Sequence, residues 1–229
     1  MLNSKNAATA LTIMKWPVAL LFLGFLPAST LLLWHELSQL IQQPLLFKYV
    51  SLGFCAYMFV WYLFIRNTSI SILSTFEHEI THCIFAWLTF NRVTGLSATL
   101  RSGGHMKYEG HPNWLLSIAP YFFPTLTFST LLILSVAWSS ESYVGFALVG
   151  VTLAYHITST IQETHHAQTD LQEVGFLFSI LFLPTANLFC YSVVLAVLIE
   201  GRSGVINCFT HLTQSQYGPM WLISLIKTI

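Results

Sequence analysis

Long apolar segments, each of about 20 residues, run through this chain and constrain its fold more than any other feature. A helix of that length crosses the hydrocarbon core of a bilayer. Only 8% of the residues are charged, against about 25% in a soluble domain, and the mean hydropathy is +0.66. The segments cover residues 16–34, 45–65, 70–90, 115–138, 143–161 and 175–198. We therefore expect an all-α polytopic membrane protein with about six transmembrane helices.

The composition also excludes several classes of function. Nine basic and nine acidic residues give a net charge of zero, which argues against nucleic acid as a partner. The four cysteines are scattered and form no C-x-x-C pair, so neither a disulfide framework nor a zinc knuckle is indicated. The first apolar segment starts like a signal peptide, but it continues past Pro27 to Trp34, which favours an uncleaved span. We expect one membrane-embedded domain over residues 1–229, with its core at about 70–198.

The third apolar segment contains the motif H-E-x-x-H, formed by His78, Glu79 and His82. Positions four apart share one face of a helix, so both imidazoles can bind one metal ion, and Zn²⁺ is the expected ion. The glutamate of such a motif is placed to deprotonate a water molecule on the metal. Ionisable groups are costly inside a membrane and usually functional there, which favours a metal site over two structural histidines.

A polar stretch at residues 91–113 follows the motif helix. Polar and apolar residues alternate in 93–100 and again in 105–108, around the pair Gly103-Gly104. This pattern predicts a short β-hairpin-like insertion. In the next apolar segment, Pro120 and Pro124 each remove a backbone donor, so we expect that helix to be kinked.

The third metal ligand is left open by the sequence. Catalytic zinc usually takes three protein ligands, and the candidates after the motif histidines are Asp170, His165, His166, His156 and Glu163. Asp170 is the only aspartate in the chain, and it lies between the fifth and sixth segments. Two spans separate that loop from the loop after the motif helix, so both lie on the same side of the membrane. Asp170 would otherwise be a helix N-cap.

The H-E-x-x-H helix, the glycine-containing hairpin and the late aspartate resemble the site-2 protease family of intramembrane zinc metallopeptidases. The resemblance covers residues 70–198 and implies that His78, His82 and Asp170 bind zinc, with Glu79 as the general base. It also implies that an extended substrate, a membrane protein or a peptide, pairs with the hairpin near Gly103, Gly104 and His105. The aspartate lacks the usual Asn-Pro and Leu-Asp-Gly context, and a PDZ domain is absent, which is typical of a divergent, minimal member.

The expected function is therefore intramembrane zinc-dependent proteolysis within a lipid bilayer. Further donors to the oxyanion, or alternative ligands, are His156, His165, His166 and Asn187. One alternative is a catalytically silent zinc-binding scaffold for membrane partners, and another is a metal transporter. A third is a different zinc peptidase fold with a glutamate, Glu163 or Glu173, as third ligand.

Overall fold

The computed structural model describes residues 3–66, 72–99, 103–137 and 142–214, which form nine α-helices and one two-stranded sheet. A π-helix (Trp61–Ile65) extends α2, and a 3-10 helix (Ala119–Tyr121) follows α4. The helices are α1 (Ser4–Ile41), α2 (Pro44–Val60), α3 (Ile72–Leu88), α4 (Trp114–Ile118), α5 (Thr125–Ala137), α6 (Tyr143–Glu163), α7 (Thr169–Val174), α8 (Phe176–Glu200) and α9 (Arg202–Gln214). The strands are β1 (Arg92–Thr99) and β2 (Gly103–Glu109).

Four helices of the described residues are long and apolar enough to cross a membrane: α1, α2 with its π-helical extension, α6 and α8. The bent pair of α4 and α5 makes a fifth if it is one span. Helix α3, which carries the H-E-x-x-H motif, has 17 described residues. At 1.5 Å per residue it is about 26 Å long, less than the hydrocarbon core of about 30 Å. The predicted all-α polytopic membrane fold is confirmed, and the described residues contain four such spans, or five with the bent pair.

The expected kink in the fourth apolar segment is a break between two helices. Helix α4 ends at Ile118, a 3-10 turn carries Pro120, and α5 begins after Pro124, with a bend of 77° between the two parts. Each proline lacks the N–H that an α-helix needs at that position. The break leaves backbone carbonyls near the motif helix without a helical N–H donor.

The predicted hairpin is confirmed by two antiparallel strands that pack on α3. Leu96 pairs with Met106, and Ser97 pairs with His105. Met106 is buried against α3 and α4. The glycine pair belongs to β2 and not to the connecting turn, because Thr99 pairs with Gly103 and residues 100–102 lie outside the described part.

The largest apolar cluster fixes the short helix α7 between α4 and α8. Leu171 and Val174 of α7 are buried in it, together with aromatic side chains of the neighbouring helices. These aromatic residues are Phe85, Trp114, Tyr121, Phe122, Phe178 and Phe182. Since Leu171 is the residue after Asp170, burial of its side chain determines where the aspartate lies.

Candidate metal centre

Helix α3 brings His78 and His82 together on one face. Their positions one turn apart place the two imidazole centroids 4.8 Å from each other, with the rings nearly perpendicular. His82 is buried, and the side chain of His78 is 12% exposed. The two imidazoles therefore lie side by side, as the four-residue spacing predicts.

Asp170, in the first turn of α7, lies against both imidazoles. Its Oδ2 is 3.3 Å from Nε2 of His78 and 3.5 Å from Nε2 of His82. Burial opposes ionisation of this carboxyl, but the protonated forms of His78 and His82, which donate from Nε2 and carry positive charge, outweigh burial and hold the pKa of Asp170 well below its usual range. The aspartate is therefore an anion beside two ring nitrogens.

Nδ1 of each imidazole has a hydrogen-bond partner of its own. Nδ1 of His78 lies 2.9 Å from Oε2 of Glu163, and Nδ1 of His82 lies 2.9 Å from the carbonyl oxygen of Leu116. A carboxylate and a carbonyl only accept hydrogen bonds, so both imidazoles carry their proton on Nδ1. In the neutral rings, both Nε2 lone pairs then face the carboxylate of Asp170.

This donor set fits a bound divalent metal. The ligand atoms of His78, His82 and Asp170 all lie within 4.8 Å of one another. In tetrahedral zinc sites the ligand bonds are about 2.0–2.1 Å, which separates neighbouring ligand atoms by about 3.4 Å. The two measured nitrogen–oxygen distances are close to that value. Lone pairs converging in this way repel each other unless a cation lies between them, and a site of two imidazoles and a carboxylate suits zinc.

Glu79 lies next to this cluster and contacts strand β2. Its side chain is 8% exposed and reaches the cavity. A Cβ added at Gly104 would lie 2.5 Å from both Cγ and Oε1 of Glu79, and 2.7 Å from Cγ2 of Thr75. The backbone of β2 can approach the glutamate this closely only because Gly104 has no side chain.

A cavity of about 470 Å³ opens between α3, the hairpin and α7. Gly104 and His105, predicted to contact substrate, line it, and Gly103 precedes them at the start of β2. Its other walls come from the motif helix, from the rest of β2, from α4, from the end of α6 and from the segment around α7. They are Thr75, His78, Glu79, His82, Met106, Tyr108, Leu116, Ser117, Glu163, Gln168, Thr169, Asp170 and Glu173. The candidate ligands and the candidate base therefore share one open space.

The remaining candidate residues have other partners. His165 and His166 are exposed; His165 accepts a hydrogen bond from the amide of Ala167, and His166 packs on Phe176. His156 is buried, with its ring 5.9 Å from that of Tyr191. The amide nitrogen of Asn187 donates to the carbonyl oxygens of Tyr121 and Leu183. Within the described part of the chain, none of these four candidates is among the residues that line the cavity.

Sequence reasoning missed two supporting groups, the carbonyl of Leu116 and the hydroxyl of Tyr121. The hydroxyl donates to Oδ2 of Asp170 at 3.4 Å, and the Tyr121 ring meets His78 edge-on. A signal for the first group was present, because the helical partner of the Leu116 carbonyl would be residue 120, which is a proline without an N–H. The carbonyl is therefore free to accept from His82.

The spanning helices and the cluster on the motif helix together are the arrangement expected of a membrane metalloprotease. Residues 49–216, well over half of the chain, match the family model described as Peptidase M50B-like. The chain belongs to the Peptidase M50B-like family and is an integral membrane protein, as its resemblance to the site-2 proteases predicted. No curated protein and no solved structure matches it.

Proposed function

We propose that this protein is an intramembrane zinc metalloprotease that hydrolyses peptide bonds of membrane-protein substrates. The observation that carries the proposal is the convergence of three ligand atoms, Nε2 of His78, Nε2 of His82 and Oδ2 of Asp170, at the wall of a cavity that also contains Glu79. Two imidazoles and one carboxylate leave a coordination position open, which is typical of catalytic rather than structural zinc sites.

His78, His82 and Asp170 hold the zinc in this proposal. When bound, zinc supplies a Lewis acid that lowers the pKa of a water molecule toward about 7 and polarises the scissile carbonyl. The hydrogen bonds at Nδ1 of both histidines keep their rings oriented toward the metal. The hydroxyl of Tyr121 does the same for the carboxylate of Asp170.

Glu79 moves the protons. It lies one residue from His78 on the same helix, and it accepts the proton of the attacking water and delivers it to the leaving amine. Contact with the backbone at Gly104 limits the positions that its carboxylate can adopt. Glu79 is largely buried and lines the cavity, so its carboxylate can meet a water molecule that enters there.

The substrate reaches the site as an extended segment. A helix hides its backbone carbonyls, so a transmembrane helix must unwind before one of them meets the metal. The cavity is walled on one side by β2, including Gly104, His105 and Tyr108. Strand addition beside the hairpin would present successive carbonyls to the site and would satisfy the backbone groups that unwinding exposes.

The test compares wild-type protein with Glu79→Gln in detergent micelles. Zinc content is measured by mass spectrometry, and cleavage is measured with labelled casein, an unfolded protein that needs no unwinding. We expect wild type to hold one zinc ion and to cleave. Glu79→Gln should keep the zinc and lose cleavage by at least about 100-fold, because its amide cannot accept the proton. Wild-type protein that binds zinc without cleaving, or equal cleavage by both proteins, overturns the proposal.

A further inference from the structure

Nδ1 of His78 contacts the carboxylate of Glu163, whereas Nδ1 of His82 contacts a backbone carbonyl. Glu163 is the last residue of α6 and is 6% exposed. Its Oε2 accepts from Nδ1 of His78 at 2.9 Å. Its Oε1 accepts from the hydroxyls of Ser74 and Ser159, the latter at 3.1 Å. Three donors from two helices therefore fix this buried carboxylate.

The position of Glu163 excludes it from direct coordination at the same metal. Nδ1 and Nε2 point away from each other across an imidazole ring. Glu163 is at Nδ1 of His78, and Asp170 is at Nε2. One ion bound by Nε2 thus cannot also be bound by the Glu163 oxygen that contacts Nδ1.

We propose that Glu163 is a positioning residue that orients His78 and strengthens its bond to the metal. The inference rests on the proposed zinc site and goes beyond it. A full negative charge at Nδ1–H makes Nε2 a better donor than the neutral carbonyl that Leu116 offers to His82. Helix α6 thereby determines the affinity of the site without contributing a ligand to it.

The experiment measures the zinc dissociation constant by chelator competition in detergent. Glu163→Ala should weaken binding by about 10- to 100-fold, the usual effect of removing such an outer partner. Glu163→Gln keeps an acceptor for Nδ1–H but lacks the charge, so it should weaken binding by less than about 10-fold. Glu173→Ala removes an exposed carboxylate from the same cavity and is the matched control; we expect a change below about twofold, since exposed charges are screened.

Asp170→Ala is included as the reference for loss of a ligand. Circular dichroism measures the helix content of each variant and so shows whether it folds. A merely structural role for Glu163 would lower the melting temperature and leave the zinc affinity of the folded protein unchanged, which overturns the inference. Loss of zinc from Glu163→Ala as complete as from Asp170→Ala would make Glu163 a ligand and also overturns it. If Glu163→Ala does not fold, Glu163→Gln decides: wild-type affinity in that variant overturns the charge effect, and a weakening supports it. Wild-type protein that binds no zinc removes the proposed function itself.

Discussion

Oδ2 of Asp170 lies 3.3 Å from Nε2 of His78, although 92 positions separate the two residues in the sequence. The contact depends on α7, which is only six residues long and is fixed by the burial of Leu171 and Val174. Packing of an apolar cluster thus delivers a carboxylate to the motif helix.

Replacing Asp170 by alanine should abolish stoichiometric zinc binding. Two imidazoles would remain, and loss of the anionic ligand removes both a bond and the charge that offsets the cation. Zinc per protein is measured after dialysis against a weak chelator. His165→Ala is the matched control, because His165 is exposed and five residues away; it should keep the zinc. If His165→Ala loses the zinc and Asp170→Ala keeps it, His165 and not Asp170 is the third ligand.

Replacing Gly104 by alanine should reduce cleavage and leave zinc bound. The new Cβ would lie 2.5 Å from Cγ and Oε1 of Glu79, so the glutamate has to move. Displacing a general base by about 1 Å costs on the order of 10- to 100-fold in rate. Gly95→Ala on the paired strand is the control, since its Cβ would meet only Lys107 at an ordinary 3.8 Å. Equal rates for both variants would show that Gly104 does not restrict Glu79.

Asn187→Ala should lower stability without affecting the chemistry. The Asn187 amide donates to the carbonyl of Tyr121 and accepts from the hydroxyl of Tyr191, and its loss leaves both groups without this partner at a cost of about 1 kcal/mol. Thermal unfolding in detergent measures this, with the exposed Asn207→Ala as control. A variant of wild-type stability that holds zinc but fails to cleave would instead identify Asn187 as an oxyanion donor.

Zinc affinity should fall as the pH falls, with a slope of no more than two protons per zinc ion. Protons compete with the metal for Nε2 of His78 and His82, and a protonated ring cannot bind metal. Asp170 should not add a third proton, because hydrogen bonds from the protonated rings of His78 and His82 hold its pKa below its usual range in spite of burial. The carboxyl therefore stays ionised while the imidazoles protonate, and it protonates only in stronger acid. Chelator competition at several pH values gives the slope; a slope of zero or of three contradicts this assignment.

The sequence predicted the parts of the site that depend on local periodicity. The spacing of His78 and His82 determines a shared helix face, and alternation around residues 93–108 predicted the hairpin. Asp170 was favoured as third ligand by its being the only aspartate and by counting spans, but several rivals remained because no local pattern relates α7 to α3. Tertiary packing of Leu171 makes that connection.

Other features were beyond local reasoning. In the described residues α3 is apolar but shorter than a span, and hydropathy alone does not separate a spanning helix from one enclosed by its neighbours. The sequence offers Glu163 as a candidate ligand, and only the fold places it at Nδ1 of His78. The proline at position 120 did predict a helix break, yet the use of the freed Leu116 carbonyl by His82 requires the fold.

X-ray absorption spectroscopy at the zinc edge of the purified wild-type protein identifies the metal ligands themselves. We expect one zinc ion per chain, bound by two imidazole nitrogens from His78 and His82 and by oxygen from Asp170 and water, at about 2.0–2.2 Å. A His78→Ala, His82→Ala double variant should hold no stoichiometric zinc. A sulfur ligand, three or more imidazoles, or a wild-type protein without bound zinc would contradict this ligand assignment.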